Sequence, residues 1–216
     1  MKDIAIFGAG GFGREIACLI RLINENEKEP KWNFIGFFDD NQELKGTHNE
    51  YGEILGGIDI LNNWQEPLDV AIAIGNPTVL RKVREEIQNP LIAFPNLIAP
   101  TTIFLDSDNV RIGKGNIICS GCLVSCNVTI GDFNIFNGFV PIGHDTDIGN
   151  YNVIMPSVNI SGGVKMGDQN FLGVQSVVLQ YVKLGNMVRL GANGVLMRNA
   201  KDGQLYMGNP AMKMKL

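Results

Sequence analysis

Two histidines occur in the 216-residue chain, His48 and His144, and their surroundings differ. His48 lies in Gly46-Thr47-His48-Asn49-Glu50-Tyr51-Gly52, a polar loop in which an imidazole is simply solvated. His144 lies in Pro141-Ile142-Gly143-His144-Asp145-Thr146-Asp147, two positions after an apolar residue of a regular repeat, where a corner would project it outward. An imidazole, with an ordinary pKa near ~6.5, suits removal of a proton from an attacking amine or hydroxyl at neutral pH. The adjacent carboxylate of Asp145 could raise its basicity or fix its tautomer. Adjacent residues of an extended strand point opposite ways, which leaves that contact open.

A second group with chemical potential is the run Gly8-Ala9-Gly10-Gly11-Phe12-Gly13. It follows an apolar stretch, 3–7, and precedes an amphipathic run, 14–23, with Ile16, Leu19, Ile20 and Ile23 on one face. A G-x-G-x-x-G turn between strand and helix lets backbone amides and the helix N-terminus approach a phosphate. Asp39 and Asp40 follow a second apolar stretch, 34–38, and Gly75 and Asn76 follow a third, 70–74. Both pairs then fall at the carboxyl edge of a parallel sheet, where ligands bind, although Asp39-Asp40-Asn41 also reads as an ordinary acidic loop. A helix over 78–88 and a strand over 91–94 complete this half, and Pro95 and Pro100 flank the connection to the next. Residues 1–95 thus hold one mononucleotide-binding unit and part of another. That is too little sheet for a full NAD site, so a nucleotide diphosphate is expected and NAD is not.

Residues 96–216 follow another grammar. In steps of six, Ile112, Ile118, Val124, Ile130, Phe136, Ile142, Ile148, Ile154, Ile160, Met166, Leu172, Val178, Leu184, Leu190 and Leu196 are all apolar. Glycine often follows, as at Gly113, Gly131, Gly143, Gly149, Gly167, Gly173, Gly185 and Gly191, which points to a turn. Four positions after the apolar residue comes a small or β-branched one, among them Cys122, Val128, Val140, Thr146, Val158, Val164, Ser176, Val182 and Val188, a second inward row. A period of six fits neither a helix nor a hairpin sheet. It fits a short strand, a corner and a repeat, with three hexads closing a triangular coil of 18 residues and fifteen hexads making five coils. Parallel pairing between coils satisfies the backbone, and flat outer faces favour packing against copies of the same chain. The hand of the coil cannot be read from the spacing.

The composition, 45% apolar and 19% charged, supplies a core and excludes intrinsic disorder. A net charge of −4, with no basic cluster interleaved with aromatics, argues against a nucleic-acid partner. No stretch approaches the ~18 apolar residues of a membrane span and the start has no long apolar leader, so a cytoplasmic protein is expected. Cys119, Cys122 and Cys126 form a C-x2-C-x3-C cluster with no histidine near it in sequence, so buried or half-buried thiols are expected and no metal.

Together, Gly8-Ala9-Gly10-Gly11-Phe12-Gly13-Arg14-Glu15, Asp39-Asp40, Ile74-Gly75-Asn76, the hexads, Gly143-His144-Asp145 and the ending Gly208-Asn209-Pro210-Ala211 resemble the sialic acid O-acetyltransferase and nucleotide-aminosugar N-acetyltransferase family. The resemblance spans essentially the whole chain. It implies an α/β Rossmann-like half domain followed by a left-handed parallel β-helix, a homotrimer with active sites between neighbouring subunits, and direct acetyl transfer from acetyl-CoA to a nucleotide-linked sugar. By position it assigns Gly8, Gly10, Gly11, Phe12, Gly13, Asp39, Asp40, Gly75 and Asn76 to the nucleotide sugar. His144 becomes the general base with Asp145 beside it, and Val153, Gly173, Val174, Gly191 and Ala192 line the acetyl-CoA groove. Many relatives carry a second histidine where Val153 stands, so polarising the thioester would fall to backbone amides or to Asn152 or Asn134. O-acetylation of sialic acid or a related sugar is the alternative within the family. A non-catalytic trimeric scaffold, a plain nucleotide-binding protein and a nicotinamide enzyme are the alternatives outside it. Zinc carbonic anhydrases share the prism but need three histidines, and this one has a single histidine.

Overall fold

The computed structural model describes residues 1–214, apart from the side chain of Gln42. Positions 215 and 216, the end of the second expected segment, lie outside the described residues. The chain divides into two compact units, one Met1–Pro100 and the other beginning at Thr101.

The first unit is a Rossmann-like α/β layer. Its elements are β1 Lys2–Phe7, α1 Gly11–Asn26, β2 Trp32–Phe38, β3 His48–Asn49, β4 Gly52–Gly56, α2 Ile58–Asn62, β5 Leu68–Ile72, α3 Pro77–Glu86 and β6 Ile92–Ala93. The sheet order is β3-β4-β2-β1-β5-β6, parallel except for the β3–β4 hairpin. The chain therefore winds outward from β1 through β2, then returns to lay β5 on the other side of β1. The carboxyl ends of β1 and β5 form the switch point at which such sheets bind ligands. The core is made by Ile4, Ala5 and Ile6 of β1, Phe37 and Phe38 of β2, Val70 of β5 and the apolar face of α1, where Ile16, Leu19, Ile20 and Ile23 are buried.

Most elements differ from the sequence reading by one to three residues at an end, as β2, α3 and β6 do, and three differences have a local reason. The helix expected from residue 14 begins at Gly11, because the end of the glycine turn is already its first turn. A strand expected at 70–74 runs Leu68–Ile72; the Ala73 N–H still donates to the Phe7 carbonyl at 2.8 Å, and the chain there passes close to Gly8. His48, expected in a loop, pairs with Glu53 in a two-residue antiparallel strand, although it stays exposed. The β3–β4 hairpin and α2 carry too few residues for a periodic signal, and glycines bound β4.

The second unit stacks short parallel strands in three columns. One runs through Ile117–Ile118, Ile135–Phe136, Val153–Ile154, Phe171–Leu172 and Arg189–Leu190. Another contains Leu123–Val124, Pro141–Ile142, Asn159–Ile160, Val177–Val178 and Val195–Leu196. The third contains Val110–Ile112, Val128–Ile130, Asp147–Ile148, Lys165–Met166 and Lys183–Leu184. Pairing holds an 18-residue register, as in Ile118 with Phe136 and Ile130 with Ile148. The architecture is that of a left-handed parallel β-helix. Of the fifteen apolar hexad positions, all but the half-buried Ile112 are buried.

The corners differ from the expectation of glycine turns. The residue with positive φ is the third after the apolar one and is rarely glycine: Asn127, Phe133, Phe139, Asp145, Tyr151, Ser157, Gln169, Gln175, Tyr181, Met187 and Asn193 have φ between 54° and 62°. The glycine just after the apolar residue is there for closeness instead. A Cβ on Gly149 would lie 2.2 Å from the Asp168 carboxylate oxygen, and one on Gly131 would lie 2.5 Å from the Asn150 side-chain oxygen. Those side chains cap one corner in a continuous series. Asp132, Asn150, Asp168, Asn186 and Asp202 accept the backbone N–H of Lys114, Asp132, Asn150, Asp168 and Asn186 respectively.

The second inward row also has polar members. Asn116, Asn134, Asn152 and Asn170 stand 18 residues apart, all fully buried. Each side-chain oxygen accepts the next coil's backbone N–H, and the Nδ2 of Asn134, Asn152 and Asn170 donates to the oxygen of the asparagine before it. Val188 ends the ladder by donating its N–H to Asn170. A buried carboxamide is tolerated only when its donors and acceptors are satisfied, and stacking meets that condition at every rung. Among the described residues no helix is long and apolar enough to cross a membrane.

Candidate functional site

In the first unit, the residues singled out after β1, β2 and β5 meet at one sheet edge. Gly8 has φ +111°, and a Cβ there would lie 2.8 Å from the carbonyl oxygen of Ala73, so only glycine carries the chain past β5. Gly13, in the first turn of α1, would put a Cβ 1.9 Å from the Gly8 carbonyl oxygen. The helix can press against the turn only without that carbon. Gly10 is the N-cap of α1 and offers no side-chain cap, so the first N–H groups of the helix, from Gly11 and Phe12 onward, remain for an anion. A Cβ on Gly10 or Gly75 would meet nothing within 4 Å, which leaves open space on both sides of the switch point.

The polar residues at this edge are partly engaged in holding it. Asp39 accepts the Ala9 N–H on one oxygen at 2.9 Å and the Asn41 N–H on the other at 2.9 Å, which ties the end of β2 to the glycine turn. Asp40 accepts the Ile58 N–H at 2.8 Å. Asn76 caps α3 by accepting the N–H groups of Thr78 and Val79, with Pro77 in the first turn.

In the second unit, His144 and Asp145 occupy a corner after the strand Pro141–Ile142. Asp145 has φ +58°, so the strand alternation that would send neighbouring side chains apart does not apply. Its Oδ2 lies 2.7 Å from His144 Nδ1. An ionised carboxylate can only accept, so Nδ1 carries a hydrogen, and whenever the ring has a single proton Nε2 is the nitrogen with the lone pair. The carboxyl is held below the usual carboxylate range, first by the His144 hydrogen bond and next by that from Asn127. Both side chains are about half exposed, at 46% and 56%. The imidazole lies against Gly162 of the following coil, where a Cβ would come 2.6 Å from Nε2. Beside it, the exposed Tyr181 ring covers Gly163 in the same way.

This corner lacks the Asp/Asn cap of the one described above. His144 and Gly162 donate no backbone hydrogen bond within the described residues, and neither do Val174 and Ala192 at the remaining corner. Gly173 and Gly191 precede the latter two, and a Cβ on Gly173 would fall 2.6 Å from the Ala192 nitrogen. Val153 is different: fully buried between Ile135 and Phe171 in its strand column, it offers no surface to a ligand in this chain. Asn134 and Asn152 are likewise fully buried and bonded within the ladder, which removes them as donors to a thioester.

Of the three clustered cysteines, Cys119 and Cys122 flank one turn and Cys126 stands on the next. Cys122 is buried, its thiol donates to the Asn137 carbonyl at 3.2 Å, and burial pushes its pKa up. A histidine distant in sequence shares the corner column of Cys126, although among the described residues no group of three His, Cys, Asp or Glu side chains could hold a metal ion. One coil later in the same corner column stands His144, and the Asp145 N–H donates to the Cys126 carbonyl. Sequence reasoning missed the two capping ladders, whose signal was the recurrence of Asn or Asp at 18 residues. It also missed Gly162 as the flat surface under the imidazole.

Residues 3–87 match the family model described as the PglD N-terminal domain. Among curated proteins none matches the chain. Several solved structures are similar over the full length. WeeI from Acinetobacter baumannii AYE is 26% identical, with 99% of this chain and 100% of that chain covered and a TM-score of 0.87. The acetyltransferase domain of PglB from Neisseria gonorrhoeae FA1090, in complex with acetyl coenzyme A, is 25% identical, with 99% of each covered and a TM-score of 0.85. A mutant perosamine N-acetyltransferase from Caulobacter crescentus, in complex with CoA and GDP-perosamine, is 22% identical, with 100% and 98% covered and a TM-score of 0.86. What the chain shares with all three is the succession of a Rossmann-like unit and a hexapeptide-repeat β-helix.

Proposed function

We propose that the protein is an acetyl-CoA-dependent N-acetyltransferase acting on an amino sugar linked to a nucleotide. The reading is carried by the exposed His144 imidazole, which Asp145 holds through Nδ1 at 2.7 Å on a corner with uncapped backbone N–H groups. It is supported by the similar structures, whose names specify acetyl coenzyme A and GDP-perosamine as ligands. Those names favour a nucleotide-linked amino sugar over sialic acid.

In this reading the diphosphate of the substrate takes the N–H groups at the start of α1, beside Gly10, Gly11 and Phe12, with Asp39, Asp40, Gly75 and Asn76 bordering the nucleotide. The thioester lies along the Gly173–Val174 and Gly191–Ala192 corner, whose free N–H groups suit the amide carbonyls of its pantetheine arm. His144 Nε2 takes a proton from the sugar amine as the nitrogen attacks the thioester carbonyl. The carbonyl π pair moves to oxygen, and the N–H of Gly162 faces the developing charge. Collapse re-forms the carbonyl, breaks the C–S bond, and lets the departing thiolate take the proton held by His144. The products are an acetamido sugar and CoA, and no acyl-enzyme forms. Three copies of the chain would pack on the flat prism faces.

The test is a screen of UDP-, GDP-, TDP- and CMP-linked amino sugars with acetyl-CoA, following thiol release and the mass of the acetylated sugar. One of these substrates turns over with wild-type protein and not with His144→Ala. An acetyl group trapped on the protein, or an undiminished rate in His144→Ala, overturns the mechanism.

A further inference from the structure

The dyad is not held by its own two residues alone. Asp145 is an exposed side chain on a corner, and among the described residues the His144 hydrogen bond to Oδ2 is the one contact its carboxylate makes within its own coil, which leaves Oδ1 to be fixed from elsewhere. Two residues reach Asp145 from the adjoining coils. Asn127, which stands at the same corner one coil earlier, donates from Nδ2 to Asp145 Oδ1 at 3.1 Å. Lys165, one coil later, places Nζ 3.1 Å from the Asp145 carbonyl oxygen and 2.6 Å from Asp147 Oδ2. The first contact fixes the carboxylate, so that Oδ1 is occupied and Oδ2 faces the imidazole. The second fixes the backbone of a residue in a left-handed conformation, and Asp147 holds the lysine in place.

We infer that Asn127 and Lys165 are positioning residues that lock Asp145, and through it the ring orientation and Nδ1–H tautomer of His144. This rests on the acyl-transfer reading for its consequence but not for its geometry. The role is positional and not a matter of stability: Lys165 and Asp147 are 48% and 55% exposed, and such pairs contribute little to folding. Outer partners that orient a metal-bound histidine change activity by about 10–100-fold, and the same orienting role sets the expectation here at the lower end. Asn127 also has φ 54°, a conformation that glycine adopts without cost, so Asn127→Gly removes the amide while keeping the turn.

Two measurements test the lock. With the acetyl acceptor found in the screen, Asn127→Gly and Lys165→Met each lower kcat about tenfold, with KM for either substrate unchanged. In an Asp145→Asn background neither causes a further fall, because the carboxylate whose orientation both hold is gone, even though Lys165 still meets the main-chain carbonyl. Independently of any activity, the side-chain nitrogen NMR spectrum contains two imidazoles, His48 and His144. His144 is the Nδ1–H tautomer in wild type and shifts toward Nε2–H in Asn127→Gly, while the His48 signals stay in place. Full activity in Asn127→Gly, losses that add to that of Asp145→Asn, or an unchanged His144 tautomer would each overturn the inference. If the tautomer shifts but no acetyl transfer is found in wild type, the proposed function fails and the positioning stands.

Discussion

Replacing Asn152 with Ala tests the asparagine ladder at a rung whose oxygen accepts two buried donors. Asn152 Oδ1 accepts two hydrogen bonds, from the backbone N–H of Asn170 at 2.8 Å and from its Nδ2 at 2.9 Å. Both donors are fully buried and lose their acceptor together. The Asn134 oxygen below keeps the Asn152 backbone N–H, so nothing is orphaned on that side. Each buried unsatisfied donor costs about 1–3 kcal/mol, giving a loss of about 2–6 kcal/mol for Asn152→Ala. Asn170→Ala removes a side chain of the same size but strands one donor, the Val188 N–H, for a loss of about 1–3 kcal/mol. The cavity left by each is alike, so it cancels in the comparison. Urea unfolding followed by circular dichroism, with all proteins at one concentration, should therefore show Asn152→Ala destabilised about twice as much as Asn170→Ala. Equal losses would mean that solvent or backbone relaxation reaches the interior, and the counting of fixed donors would be refuted. A folded Asn152→Ala protein with a 10²–10³-fold fall in kcat would instead restore the thioester role that burial removes from this residue.

Other consequences follow from single close approaches. Gly162→Ala puts a methyl 2.6 Å from His144 Nε2, so the imidazole must move; kcat should fall about 100-fold with little change in the unfolding midpoint. Gly13→Ala drives a Cβ to 1.9 Å from the Gly8 carbonyl, a clash of backbone that no rotamer relieves, and calorimetry should show loss of binding to nucleoside diphosphates. Because the Asp145 carboxyl is held below the usual carboxylate range, its ionised form favours the fold above that range, and the contribution disappears as pH falls through the depressed value. Acid unfolding should accordingly be shallower in Asp145→Asn than in wild type. Cys122 should be the slowest thiol to react with an alkylating reagent in the native protein and should react normally in urea, since burial keeps it protonated.

Much of this molecule was legible in one dimension wherever a pattern repeats. Fifteen apolar residues at an interval of six fix the inward rows and the 18-residue register, because a stacked coil has no other way to bury them. The turn from Gly8 to Gly13 declared its strand and helix for a similar reason: Gly8 and Gly13 match close approaches of backbone to backbone, and Gly10 between them faces open space. Short elements without repetition, such as the β3–β4 hairpin and α2, gave no such signal.

The sequence by itself determined which side chains face inward, which histidine stands at a corner, and where the glycine turn opens toward an anion. Only the tertiary structure decided what those side chains touch. A coil converts a separation of 18 residues into adjacency, so Asn127, Gly162 and Lys165 became neighbours of the dyad although none is near it in the chain. The left-handed turn at Asp145 put its carboxylate beside His144, which no rule for extended strands allows. Asn152 and Val153, which seemed available to a ligand when read along the sequence, lie fully buried in the stacked coils, the asparagine in its ladder and the valine between strand neighbours.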